Sequence, residues 1–314
     1  MRFIIEKIKQ LPSLFFRVLL ITLAIILLIY YPVGMLLIHE IDDSPDYSAE
    51  AFMIENGSFS VSTAAALVDR EVNRHHWVSS DPFFYPSAML DRMPAYQRGI
   101  ISAVARFTIE LSDQIARTRG SSGVDTDVQK ANGLFNYSPY VWMFDPSTSW
   151  LPTASSPTQY RSGMQALMSY NKRLGEGRAV FDRRADNLLE ALNRMAADLG
   201  SSSADIDTYI EGKEKLSFSS ASELFYYNKG RMYADYMLLA ALEKDFASVI
   251  SERQLGASWA QMLESLRFGM SFDHLFVLNF HPDSIILANH LTSQGFYLMR
   301  ARTQMREITD ILTK

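Results

Sequence analysis

The chain has 314 residues, of which 48% are hydrophobic and 21% charged, with a formal net charge of −5. That composition supports one large or two modest folded domains and excludes a disordered chain. An acidic chain without a long basic run fits a polyphosphate backbone poorly, so no nucleic-acid partner is expected. The absence of cysteine excludes disulfides, Cys-ligated zinc, iron–sulfur clusters and thiol nucleophiles.

The first predicted element is a membrane helix. Val18 to Ile38 contains no charged residue, and Phe15 and Phe16 extend the apolar run. A helix over Val18–Ile38 is roughly 31 Å long, close to the thickness of a hydrocarbon core. Arg17 can snorkel at its start, and Tyr30 and Tyr31 suit an interface. Pro32 disfavours helix at Tyr31 and removes one donor. A span ending at Tyr31 is too short unless Leu14–Arg17 join it, so length favours a kinked helix continuing to Ile38. The run is longer than a signal-peptide core, and no A-x-A-like site follows. It reads as an uncleaved signal anchor in a lipid bilayer.

Flanking charge predicts direction. Arg2, Lys7, Lys9 and Arg17 precede the span, whereas no Lys or Arg occurs from His39 to Asp69 and Glu40, Asp42, Asp43 and Asp46 crowd the exit. The positive-inside rule puts residues 1–17 in the cytoplasm and the remainder in the periplasm of a cell with an outer membrane. Residues 39–61 read as a stalk, and 62–314 as an exported domain.

That domain reads as all-α. Ser60 or Ser62 is expected to cap a helix to Trp77, Pro94 to open one to Thr118, and Asp125 to cap a third. Residues 138–159 are rich in Pro, Ser and Thr, with Trp142, Phe144 and Trp150 expected to pack them as a loop or sub-boundary. Ser156-Pro157 opens a helix to Leu174, and RLGEGRAV reads as a helix–helix turn. Phe181, Leu188, Leu192, Met195 and Leu199 form a seam expected to stop at Gly200. One long helix is predicted over Ser219–Ile250, with a shorter one over Ala257–Phe268. Asp283 is expected to cap the last helix, whose seam (Leu287, Leu291, Gln294, Leu298, Ala301, Met305, Ile308, Leu312) suits a bundle core. A homo-oligomer through that helix is the alternative.

Candidate chemistry is sparse. Tyr226, Lys229, Tyr233 and Tyr236 share one face of a helix and could line a ligand pocket or lie half-buried at a surface. The histidines show no metal-binding spacing, so no metal or cofactor is implied; Asp273, His274, His281, Asp283 and His290 merely cluster in sequence. Ser169-x-x-Lys172 lacks the partners that would give it meaning.

Three segments, Tyr30–Asp43 (YYPVGMLLIHEIDD), Arg184–Asp207 and His290–Leu312, resemble a family of bacterial single-anchor proteins called domain of unknown function 2333. The resemblance implies an inner-membrane anchor and a unit spanning the whole chain, and assigns no catalytic residue. The reading is thus a non-catalytic envelope protein whose helical domain meets another protein or scaffolds the envelope. The alternatives are a small-molecule or lipid sensor, and a cell-wall hydrolase with dispersed carboxylates.

Overall fold

The computed structural model describes residues 2–116, 123–144, 150–212, 218–274, 277–278 and 289–314. Helix α1 (Arg2–Ile38) is continuous through Pro32. Its segment Phe15–Ile38 is long and apolar enough to cross a membrane, and its side chains face outward. The other helices are α2 (Phe59–Asp69), α3 (Arg92–Glu110), α4 (Thr126–Phe135), α5 (Ser156–Gly175), α6 (Ala185–Ile210), α7 (Phe218–Asp245), α8 (Ala247–Glu252), α9 (Gly256–Met270) and α10 (His290–Leu312). No strand occurs among the described residues, and the fold is all-α.

Helix α7 is the axis. It packs on α2, α3 and α9, while α10 lies on α6 and α9, and α5 joins α2 to α4. Phe225, Met232, Leu239 and Phe246, spaced seven residues apart, are fully buried. Asn228, Lys229, Arg231 and Asp235 between them are buried too, because neighbouring helices cover most of the α7 surface there. Where α3 crosses α7, Gly99 and Gly230 lie against each other's backbone: a Cβ on Gly99 would strike the Tyr227 carbonyl, and one on Gly230 the Tyr96 carbonyl. The final seam is occupied within the chain, since Leu291, Leu298, Ala301, Met305, Ile308 and Leu312 are all buried.

Several helix boundaries differ from the sequence expectation for local reasons. The cap of α2 is Ser58, which accepts from the Val61 amide, while Ser60 and Ser62 lie buried in the first turn. The Asp245 carboxylate, from the end of α7, also accepts from the Phe59 and Ser60 amides at 2.9 Å each. A remote anion thus completes that N-terminus. Asp125 does cap α4. Gly200 does not stop α6, which continues to Ile210. A Cβ there would lie 2.9 Å from the Arg302 guanidinium carbon, so the glycine admits α10 rather than ending a helix. Asn289 caps α10, and Asp283 lies outside the described residues.

Two segments carry contacts of their own. The 138–159 loop is tied at its base by Thr153 N–H to the Met143 carbonyl and Ser156 N–H to the Val141 carbonyl. Of its aromatic residues, Trp142 is half-buried and meets Phe84, whereas Trp150 is 89% exposed and Phe144 is exposed too. Within residues 39–61, Asp42, Asp43 and Ser44 bond to the bundle.

Candidate functional site

The site is a polar junction between the acidic segment after α1 and the inner face of α7. Lys229 is 1% exposed, yet it carries an ammonium. Burying such a charge requires partners. Its Nζ stands 2.8 Å from Asp43 Oδ2 and donates to the Phe272 carbonyl at 2.8 Å. One turn earlier, the Tyr226 hydroxyl meets Asp273 Oδ1 at 2.8 Å and the His274 carbonyl at 2.9 Å. One turn later, the Tyr233 hydroxyl donates to the Ser44 carbonyl at 3.0 Å and accepts from Arg70 Nη1 at 2.7 Å. Tyr236 is half-buried against the core.

Arg70 stands at the other side of the junction. It opens a π-helical turn, Arg70–Arg74, that prolongs α2. Such turns often mark functional sites. Its guanidinium lies between the Tyr47 and Tyr233 rings, 4.8 and 4.7 Å from their centroids. It binds Glu71 at 2.8 Å and Asp42 at 3.4 Å. The Asp42 carbonyl accepts from the Tyr96 hydroxyl at 2.6 Å, and Tyr47 donates to the Ala66 carbonyl at 3.0 Å. Residues 40–47 therefore form a strap held by Arg70, Tyr96, Lys229 and Tyr233.

Electrostatics follow from this enclosure. Burial opposes the Arg70 charge, but Glu71, with smaller help from Tyr96, Tyr233 and Asp42, holds its pKa above the usual value. Burial pushes the Tyr226 hydroxyl up to about 12, aided by Asp273. The same hydrogen bond from Tyr226 holds the Asp273 carboxyl below the usual range. His75, beside Glu71 and Glu40 at 3.7 and 3.5 Å, is raised chiefly by Glu71. The junction is thus a set of fixed charges, each answered by the chain itself, suited to holding segments together.

Tyr226, Lys229 and Tyr233 spend their polar atoms on the chain's own residues. A groove of about 760 Å³ instead runs along the adjacent face of α7, lined by Glu223, Leu224 and Tyr227 with Tyr137, Tyr140, Tyr160, Tyr209, Arg98, Arg106 and Asp205. Arg98 binds Glu223 at 2.6 Å and also reaches the Tyr140 hydroxyl.

A family described as an uncharacterised protein conserved in bacteria, DUF2333, matches residues 10–222 and 207–314, almost the whole chain. The chain belongs to this family. No curated protein and no solved structure matches it.

In this DUF2333 chain the histidine cluster resolves differently from its spacing. The His274 and His290 rings stack, centroids 3.7 Å apart and planes 11° apart. Imidazole binds metals in its ring plane, so parallel rings do not converge on one ion. His281 and Asp283 lie outside the described residues, and among those described no three His, Asp or Glu side chains form a metal-holding group. Ser169 donates to Asp127 at 2.8 Å, an ordinary structural bond. Sequence reading missed Arg70, Glu71, Asp42, Asp43 and Tyr96. One signal existed: Arg70 and Lys229 each sit in apolar helical text, and buried cations demand carboxylates, which the strap holds in excess.

Proposed function

We propose that this DUF2333 protein is a single-span inner-membrane protein that holds a helical domain at fixed attitude against the periplasmic face, as a scaffold for another envelope protein. The strap carries this reading. A tethered domain needs only a loose linker, whereas here the residues leaving α1 are bonded through two buried cations to the central helix. Such bonding transmits the position of the membrane helix to the bundle. The Lys/Arg-free stretch from His39 to Asp69 supports the orientation. The groove beside Tyr227 is where a partner would bind.

The test has two arms. Alkaline phosphatase fused after Lys314 should be active in cells, and a green fluorescent protein fused there should stay dark after Sec export. The reverse pattern overturns the topology. A photo-crosslinking amino acid at Tyr140 or Glu223 in intact cells should give one discrete protein adduct. Adducts at neither position overturn the scaffold reading.

A second reading has its own observation. The groove falls within the ~300–1,000 Å³ typical of ligand pockets, and five tyrosines and two arginines line it. A small polar or aromatic ligand would bind there rather than at Tyr226. A thermal-shift response abolished by Tyr227→Ala but not Tyr226→Phe is its expected mark.

A further inference from the structure

We infer that the bundle docks onto the bilayer through a second contact, an aromatic patch beside α1, which inserts at the headgroup level of the membrane that α1 crosses. The inference rests on α1 being a membrane helix. The patch comprises Phe83, Phe84 and Tyr85 from the loop before α3, and Trp142, Phe144 and Trp150 from the loop before α5. Phe83 is 82% and Trp150 89% exposed, and Phe84, Tyr85 and Phe144 are exposed as well. Phe84 meets Trp142 across the two loops, and Trp142 meets Phe144 within the second, each pair with centroids 5.6 Å apart. Contiguous exposed aromatic surface of this kind is uncommon on soluble folds and marks a contact. Aromatic rings with one polar edge favour the boundary between headgroups and acyl chains.

Continuity with α1 identifies the occupant. The Tyr30 hydroxyl donates to the Phe84 carbonyl at 3.1 Å, and the Tyr31 hydroxyl to the Phe83 carbonyl at 2.9 Å. Gly34 lies directly against Pro86, where a Cβ would collide with the ring. The patch therefore stands at the height of Tyr30 and Tyr31 on the helix, and its depth in any bilayer is fixed by that of α1. Were the boundary at Ile38, Phe83 and its neighbour Asp81 would lie about 10 Å inside hydrocarbon. A charged side chain at such depth is costly. With the boundary at Tyr30–Tyr31, the span Leu14–Tyr31 is roughly 27 Å, enough for a ~30 Å core with slight thinning. The patch then falls at the interface, and Pro32–Ile38 become the helical neck on which the bundle sits.

The test uses the full chain reconstituted in vesicles of phosphatidylethanolamine and phosphatidylglycerol carrying bromine at shallow or deep acyl positions. Of the four tryptophans, Trp77 and Trp259 are buried in the bundle, so bromine should quench Trp142 and Trp150 selectively. Shallow bromine should quench more than deep, and Trp142→Phe/Trp150→Phe should abolish the quenched fraction. On that double-variant background, Leu28→Trp reports insertion of α1 on its own. Quenching of Leu28→Trp without quenching of Trp142 and Trp150 in the parent overturns the patch while leaving the anchor, and gives the aromatic surface to a protein partner. No quenching of Leu28→Trp overturns the anchor and the patch with it.

Discussion

Asp43 and Lys229 make an unequal pair, and the inequality yields a quantitative prediction. Their contact is 2.8 Å, but Lys229 is 1% exposed whereas Asp43 is 34% exposed. Lys229→Met removes the ammonium and keeps the apolar stem. Water can then hydrate Asp43, so the loss is a partly screened ion pair and a donor to the Phe272 carbonyl, about 1–2 kcal/mol. Asp43→Ala leaves the ammonium in the interior with the Phe272 carbonyl and the Tyr226 ring face at 5.7 Å but no bonded carboxylate, which costs about 3 kcal/mol, the low end for breaking a buried pair. At roughly 2–4 °C per kcal/mol in a chain of this size, the midpoint should fall about 4 °C for Lys229→Met and about 9 °C for Asp43→Ala. The double variant strands nothing and should be more stable than Asp43→Ala alone. Thermal unfolding of the full chain in mild detergent, followed by near-ultraviolet circular dichroism, measures all three. Additive losses, or a larger loss for Lys229→Met, would falsify the argument that a stranded cation dominates.

Other predictions rest on separate features. Gly230→Ala drives a methyl into the Tyr96 carbonyl and should destabilise by about 3 kcal/mol or more, whereas Gly133→Ala, in the exposed interior of α4 with nothing within 4 Å, should stabilise by about 0.5–1 kcal/mol; urea titration of both gives the comparison. Asp245→Ala removes the acceptor for two α2 amides and two serine hydroxyls and should cost about 2–4 kcal/mol, with hydrogen exchange accelerating first at Phe59–Val61; unchanged exchange there would refute the capping role. Burial raises the carboxyls of Asp235 and Glu110 to about 7. A raised folded-state pKa means protons bind the folded chain more tightly, so stability is full below about pH 4 and declines as pH rises toward 7. Asp235→Asn should flatten that decline by on the order of 2–4 kcal/mol and leave the chain more stable at pH 8. A melting series across that range that is unaffected by the substitution argues against it.

Helical text was legible wherever one stripe was apolar and the signal was local. Asp125 before α4 and Ser156-Pro157 opening α5 each announce themselves within a few residues. The seam over Leu188–Leu199 is real, but Gly200 looks like a stop only if α10 is unknown; the close Arg302 contact lies about a hundred residues away in sequence. The Tyr226 face was recognisable as unusual, and its polarity pointed toward a ligand. Its polar atoms meet the strap, nearly two hundred residues upstream, and residues 272–274, more than forty downstream, and no local pattern encodes those meetings. For the same reason the groove along Tyr227 was invisible: its walls come from α3, the loop after α4, α5, α6 and α7.

The strap also decides where this chain can be cut. A fragment intended to be soluble would naturally begin after the acidic residues, since they read as linker. Starting after Tyr47 would leave Arg70 without Asp42, Lys229 without Asp43 and Tyr233 without the Ser44 carbonyl. Such a fragment should be recovered aggregated or poorly folded. One beginning at His39 keeps every one of those bonds while discarding the membrane helix, and it is the fragment that should crystallise.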